Sequence, residues 1–446
     1  MNHKKQQTRD KYLTLTALIL GSLAMFMAIY LITQRPAEDR IENYKTSVVY
    51  PTTPITLTLW LPSEEKGNLD SIISNYQSIH PNVTVKTEYT DVTGYQAKLL
   101  QAISSNTLPD LFVFRGDSLP LYKSSLQSAP GSVFTAEQFN QTFSEFTTKQ
   151  LVQGNTIYGA PLGLATLGLI YNQNRFDQAK MSAPPKTWAE LDSTNDKLRQ
   201  KSGQTLYQSG VALGSPTIHN YPDIMSILMM QNGAVMTDQP PTKATFELPD
   251  ESGYYPSAKA VAYYASFSQP EKSNYSWSDS LGDNVGALAQ NKTALIIDYP
   301  MAAKQVLAQN PNLPVRFASL PQVNVSKPTN YGVFLTGGVA KSSPNSEIAW
   351  DFWGFATSRP AQKQFSLQSY WPASRKDLIA DQASNSILSP FAKQSPTAND
   401  WYKGVNYATN SDMRDMLSMY LGGLDAQIAV KNTATKVTME IQQSNK

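Results

Sequence analysis

Apolar and polar residues alternate strictly over 55–61. Ile55, Leu57, Leu59 and Leu61 take one face, and Thr56, Thr58 and Trp60 the other. This is the period of a strand with one face in a core. The period then changes. Ser63 or Glu64 opens a helix, whose stripe is Leu69, Ile72, Ile73, Tyr76 and Ile79, and Pro81 closes the run. Alternation returns over 83–89. Tyr95, Leu99, Ala102 and Ile103 mark a second helix, and Pro109-Asp110 leads into the apolar strand 111–114. The order strand, helix, strand, helix, strand predicts an α/β lobe with right-handed crossovers.

The stretch 158–198 is the densest in signals. It reads strand, tight turn, strand, short helix, Pro-Pro turn and capped helix. Residues 164–171 form a nearly unbroken apolar run of the length of a buried strand, stopped by Asn172 to Asn174. Pro184 and Pro185 break the chain. Thr187 then caps a helix with Glu190 at the third position after it, a capping box. This stretch resembles the segment that crosses between lobes in bacterial extracellular solute-binding proteins of family 1, the maltose-binding type. The family pattern Tyr-x-x-Pro, Leu-x-Tyr-Asn, Pro-Pro-x-Thr-Trp-x-Glu-Leu is met by Tyr158, Pro161, Leu169, Tyr171, Asn172, Pro184, Pro185, Thr187, Trp188, Glu190 and Leu191. Trp60 closing strand one, the prolines before strands two and three, Gln231-Asn232-Gly233, and the runs 283–298, 313–321 and 337–372 extend the resemblance over most of 55–375. The stretches 240–277 and 376–446 are less family-like.

The resemblance implies an α/β, two-lobed periplasmic-binding-protein fold of type II with a ligand cleft between lobes. Lobe 1 is expected to comprise 55–163 plus 334–375, and lobe 2 164–333 plus 376–446. It further implies a monomeric binding protein, not an enzyme, that takes up a carbohydrate, an oligosaccharide by preference, and passes it to the permease of an ABC importer.

The N-terminus carries a separate signal. Residues 13–32 hold no charged side chain, and twenty helical residues at ~1.5 Å each just cross a bilayer core. Lys4, Lys5, Arg9 and Lys11 precede them, which puts 1–12 in the cytoplasm and the body outside. The rival reading is a signal peptide cut at Ser22-Leu23-Ala24, but eight more apolar residues, Met25 to Ile32, follow that site. A retained transmembrane anchor in the cell membrane is therefore expected, with 33–54 as linker.

Composition narrows the chemistry. A formal net charge of +2 gives no field for nucleic acid. With no cysteine, disulfides, thiolate metal sites and a cysteine nucleophile are excluded. The three histidines, His3, His80 and His219, stand at no metal-ligand spacing, so neither metal nor cofactor is expected.

Two short motifs mislead. Gly116-Asp117-Ser118-Leu119 spells an esterase nucleophile block, yet no histidine follows His219 to serve as its base. Arg115-Gly116-Asp117 spells an adhesion tripeptide, and three residues recur by chance. The same loop reads better as a ligand loop, because ligands of α/β lobes sit beyond the carboxyl ends of strands. Phe114, Arg115 and Asp117 stand there, with Trp60 and Glu65 at the end of strand one. The resemblance adds Thr166 near the crossing between lobes, Asp298 and Tyr299 at a strand end, Tyr221 in a loop, and Tyr370, Trp371 and Arg375 beside Pro372-Ala373, where relatives often have Gly-x-Pro-Ala. Trp188, Trp350 and Trp353 are assigned to packing. A glycan or ester hydrolase, and a surface-anchored binding protein without a transport role, stay open as alternatives.

Overall fold

The computed structural model describes Tyr44 and residues 46–444. The expected anchor at 13–32 lies outside them. Among the described residues no helix is long and apolar enough to cross a membrane.

Two sheets organise the body. The first contains β1 (Ile55–Pro62), β2 (Val83–Thr90) and β3 (Leu111–Arg115). A hairpin of β4 (Val152–Gln153) and β5 (Thr156–Ile157) precedes β6 (Ala160–Thr166), which returns to that sheet. The second is built from β7 (Gly168–Asn172), β8 (Gln200–Ser202), β9 (Thr205–Val211), β10 (Thr293–Asp298) and β11 (Val315–Ser319), in the order β11-β7-β10-β9-β8. The long β12 (Asn330–Val339) and short β13 (Ala398–Asn399) complete the first sheet, in the order β13-β12-β3-β1-β2 with β6 also on β12.

The hydrophobic pattern explains this arrangement. Ile55, Leu57, Leu59 and Leu61 are all buried, and β1 runs parallel to β2 along its whole length and to β3 at Leu59 and Trp60. Leu111, Phe112, Val113 and Phe114 are buried in succession, as expected of a central strand covered on both faces.

Two sequence expectations are corrected. The apolar run 164–171 is not one strand. β6 ends at Thr166 in the first sheet, and β7 starts at Gly168 in the second. Gly168 is required, since a Cβ there would come within 2.6 Å of the Phe391 ring and 2.8 Å of the Ala318 carbonyl. The run stays apolar because the crossover is as buried as the strands beside it. The helix expected from Ser63 or Glu64 is likewise interrupted. A single 3-10 turn, Ser63–Glu65, is followed by Gly67 at φ +79°, and the α-helix begins at Asp70.

β6 and β12 keep to the first sheet along their full length, so the expected lobe boundaries at 163/164 and 333/334 fall within strands. Thr187 caps its helix by accepting from the Glu190 amide at 3.1 Å. The Glu190 carboxylate accepts from the Lys186 amide instead of from Thr187. Trp350 and Trp353 are fully buried on Ser346–Ala356. The helices Pro256–Ser266, Asn406–Leu421 and Ala426–Ser444 pack together, which joins the two least family-like stretches. Residues 46–54 lie against the body. The Tyr50 hydroxyl bonds Asp351 and lies 2.7 Å from that of Tyr76, and its ring stacks on His80 at 4.2 Å.

Candidate functional site

β3 ends at Arg115, and the turn Gly116–Ser118 follows at once. Gly116 is forced, because a Cβ there would overlap the Phe334 ring of β12. The turn thereby brings Arg115 to Asp223 of the helix Tyr221–Gln231, which packs against β12 and the helices Pro256–Ser266 and Asn406–Leu421, and Asp117 to Asn406. Every residue of that helix from Tyr221 to Met229 is buried, Asp223 included.

Asp223 is the hub. It accepts from Lys403 Nζ at 2.8 Å, from Tyr299 Oη at 2.9 Å and from Arg115 Nη1 at 3.4 Å. Asp223 is 3% exposed and Lys403 1% exposed. Burial alone would raise the Asp223 carboxyl, but Lys403 and then Arg115 outweigh it and hold it far below the usual carboxylate range. Arg115 also pairs with Asp117 at 3.0 Å, and those two carboxylates keep its guanidinium charged against burial. Asn406 Nδ2 donates to Asp117 and to the Ser118 hydroxyl, at 2.9 Å each. Lys403 Nζ stands 5.2 Å from the Tyr331 ring centre and 5.5 Å from that of Trp401. Two cations and two carboxylates thus balance at the junction of β3, β12, the Asp223 helix and the C-terminal segment.

A second group lies between the end of β1 and the end of β10. Trp371 Nε1 donates to Glu65 at 3.0 Å, Asn68 donates to the other Glu65 oxygen at 2.9 Å, and Lys304 donates to Asn68 at 2.9 Å. Burial raises the Glu65 carboxyl, opposed by Asn68 and Trp371. Nearby, buried Asp298 accepts from Asn220 at 2.7 Å and from the Tyr299 amide at 2.7 Å, and lies 2.8 Å from His219 Nδ1. The His219 side chain is 50% exposed, and the Asp298 charge raises its imidazole to about 8 against burial.

The structure brings together Arg115, Asp117 and Tyr299 in the first group and Glu65 and Trp371 in the second, while Asp298 is joined to His219, Asn220 and the Tyr299 amide. Tyr370 is half-buried at the end of the helix Arg359–Ser369, with φ +64°. Trp60 is half-buried with Lys98 Nζ 3.8 Å from its ring centre. The others sit in packing positions. Phe114 is buried against Tyr122. Thr166 is buried and donates to the Phe391 carbonyl. Tyr221 is buried against Tyr264. Arg375 pairs with Asp377 and lies over Phe143. Ser118 of the esterase-like motif has Asn406, Gln96 and Asp117 as side-chain partners, with no histidine among them.

Asp223, Lys403 and Asn406 were missed from the sequence. Asp223 carried a signal, as an acid in the first turn of an otherwise apolar helix. Lys403 and Asn406 lie in the C-terminal stretch, where the resemblance gave no guide.

Comparison with known proteins bears on this geometry. A protein of Brucella abortus (strain 2308) described as a binding protein is 22% identical over 373 residues, covering 81% of this chain and 86% of its own. The diacetylchitobiose binding protein DasA of Streptomyces coelicolor is 23% identical over 310 residues, 68% of this chain and 69% of its own. The GacH receptor of Streptomyces glaucescens shares the fold, with TM-score 0.72 and 18% identity over 87% of this chain and 99% of that one. These likenesses give the body an α/β two-lobed fold. A family model for bacterial extracellular solute-binding proteins matches residues 71–399. The chain belongs to that family.

Proposed function

We propose that this chain captures an oligosaccharide between its two lobes outside the cytoplasm and delivers it to the permease of an ABC importer. The observation that carries the reading is the balanced cluster of Arg115, Asp117, Asp223 and Lys403, which the end of β3 shares with Tyr299 beyond the end of β10. Such a cluster is charged yet neutral in sum. It suits a ligand that is polar and uncharged, whose hydroxyls accept from Arg115 and donate to Asp117. Trp60 and Tyr370, both half-buried, offer ring faces for the apolar sides of sugar rings. DasA is named for diacetylchitobiose, and GacH was solved with acarbose, which supports the same ligand class.

The proposed mechanism is differential binding. A ligand that contacts both lobes only when they are closed shifts the equilibrium to the closed form, which the permease then engages. The body works as a monomer held by residues 13–32 in the membrane. N-terminal sequencing of the mature protein that starts at Met1 supports the anchor, and a start beyond Ala24 removes it.

The test of function is a thermal-shift screen of the full-length chain against neutral oligosaccharides, including diacetylchitobiose, maltotetraose and acarbose. A bound sugar at 100 times its Kd stabilises the fold by about 2.7 kcal/mol. No shift with any sugar, backed by silent calorimetry at millimolar concentration, overturns the reading. The sugar should also be recovered unshortened, and a cleaved product would establish the hydrolase alternative.

A further inference from the structure

Beside the charged cluster a crevice of about 560 Å³ opens between the turn after β3, the helix Glu145–Leu151 and the segment 230–241. Its volume is that of a small-molecule site. Its walls are of two kinds. Met230, Met236 and Trp401 form an apolar side, while Asp117, Gln150 and Asp400 form a polar one. A second crevice of about 490 Å³ shares Gln150 and Asp400, so Asp400 stands on the partition between the two.

The charges around this crevice can be paired off. Asp117 is matched by Arg115, and Asp223 by Lys403 and Arg115. Lys149, which lines both crevices, pairs with Glu145 at 2.9 Å. Asp400 remains. Among the described residues it has no ion pair. Both its oxygens accept from the Gln150 amide at 3.1 Å, a neutral donor. Burial first, and then the charge of Asp117, push its carboxyl up to about 7, against Gln150, Arg115 and Lys403. A carboxylate in this position gains most from a cation brought to it.

We propose that the crevice is a second binding site, for a small amphipathic cation: an ammonium group carried on a compact apolar body. The ammonium meets Asp400, and the body lies against Trp401, Met230 and Met236. A neutral sugar supplies no charge for Asp400, so this ligand is distinct in class from the one assigned to the cleft.

The probe is phenethylammonium, with 2-phenylethanol as its uncharged counterpart, titrated calorimetrically into the full-length chain. Saturable binding of the amine is expected, at least tenfold tighter than that of the alcohol. Binding should tighten as pH rises from 6 to 8, because Asp400 gains its charge over that range. Asp400→Asn should weaken amine binding at least tenfold, abolish the pH dependence, and leave the sugar-induced thermal shift unchanged. Its melting temperature at pH 8 should not fall, since a half-buried carboxylate without an ion pair is removed. Met230→Lys, which brings a resident ammonium to the crevice, should also exclude the amine. Equal affinity for amine and alcohol, undiminished amine binding by Asp400→Asn, or no binding at millimolar amine overturns the proposal.

Discussion

The two polar groups between the sheets are built on opposite terms. Around Asp223, ionised side chains are buried and fixed by one another, with Lys403 and Asp223 almost without exposure. Around Glu65 and His219, the groups are joined by neutral donors or stand half in water. The first group holds its charge states against changes in pH and salt. The second can change them. The difference matters for a binding cleft. In the cleft proposed above, a fixed inner cluster would keep the same donors and acceptors, while the outer flank would adjust to what enters.

The largest test of this contrast is Lys403→Met. It leaves Asp223 buried with Arg115 as its only cation, so a loss of about 3–5 kcal/mol in unfolding free energy is expected by denaturant titration. Adding Asp223→Asn should recover part of that loss, because no bare carboxylate remains. If Lys403→Met melts like the parent, the inner cluster is not what fixes the junction.

A smaller effect belongs to the outer flank. Trp371 is 7% exposed, and its indole N–H is one of two side-chain donors to Glu65. Trp371→Phe keeps most of the ring and removes the donor, at an expected cost of ~1–3 kcal/mol. Its neighbour should respond in the opposite direction. Tyr370 holds φ +64°, a left-handed conformation costly to side chains with a Cβ. Tyr370→Gly should raise stability by about 1 kcal/mol while weakening sugar binding if the ring stacks on ligand.

The smallest effect is a pH dependence. The folded-state value of His219 is raised to about 8 by Asp298, above the ordinary 6.5. Its stabilisation is therefore complete below about 6.5 and lost as pH rises through 8. His219→Gln should flatten the melting temperature over that window and leave it unchanged in shape elsewhere. A parent profile already flat from 6.5 to 8.5 would place His219 in the fixed class with Asp223.

The sequence carried the strands well, because Leu57, Leu59 and Leu61 had to alternate with polar residues to build one buried face. The crossing itself was legible from the resemblance, but the break between two strands at Leu167 was not. There the chain passes from sheet to sheet through apolar surroundings, and burial erases the polar break that normally marks a turn. The start of the helix Asp70–Ile79 was hidden by Gly67, whose role depends on a backbone angle. Arg115 and Asp117 were legible from their place after a strand. Lys403 was not, since its charge is matched by Asp223, 180 residues away. The Gly-x-Pro-Ala of relatives has a backbone explanation at Tyr370, where glycine would be at ease.

The docking of Tyr50 has a mechanical consequence. Its ring and hydroxyl are held by His80, Tyr76 and Asp351, which belong to the helix Asp70–Ile79, its C-cap and the helix Ser346–Ala356. Tension applied to the chain ahead of Tyr50 would thus be shared by two helices before it reached β1. β1 lies parallel to β2 along eight paired residues and would be loaded in shear. Under the proposed tether and closure, the first lobe would be the stator and the second the moving arm, and drag on the moving arm would not fall first on the strand β1.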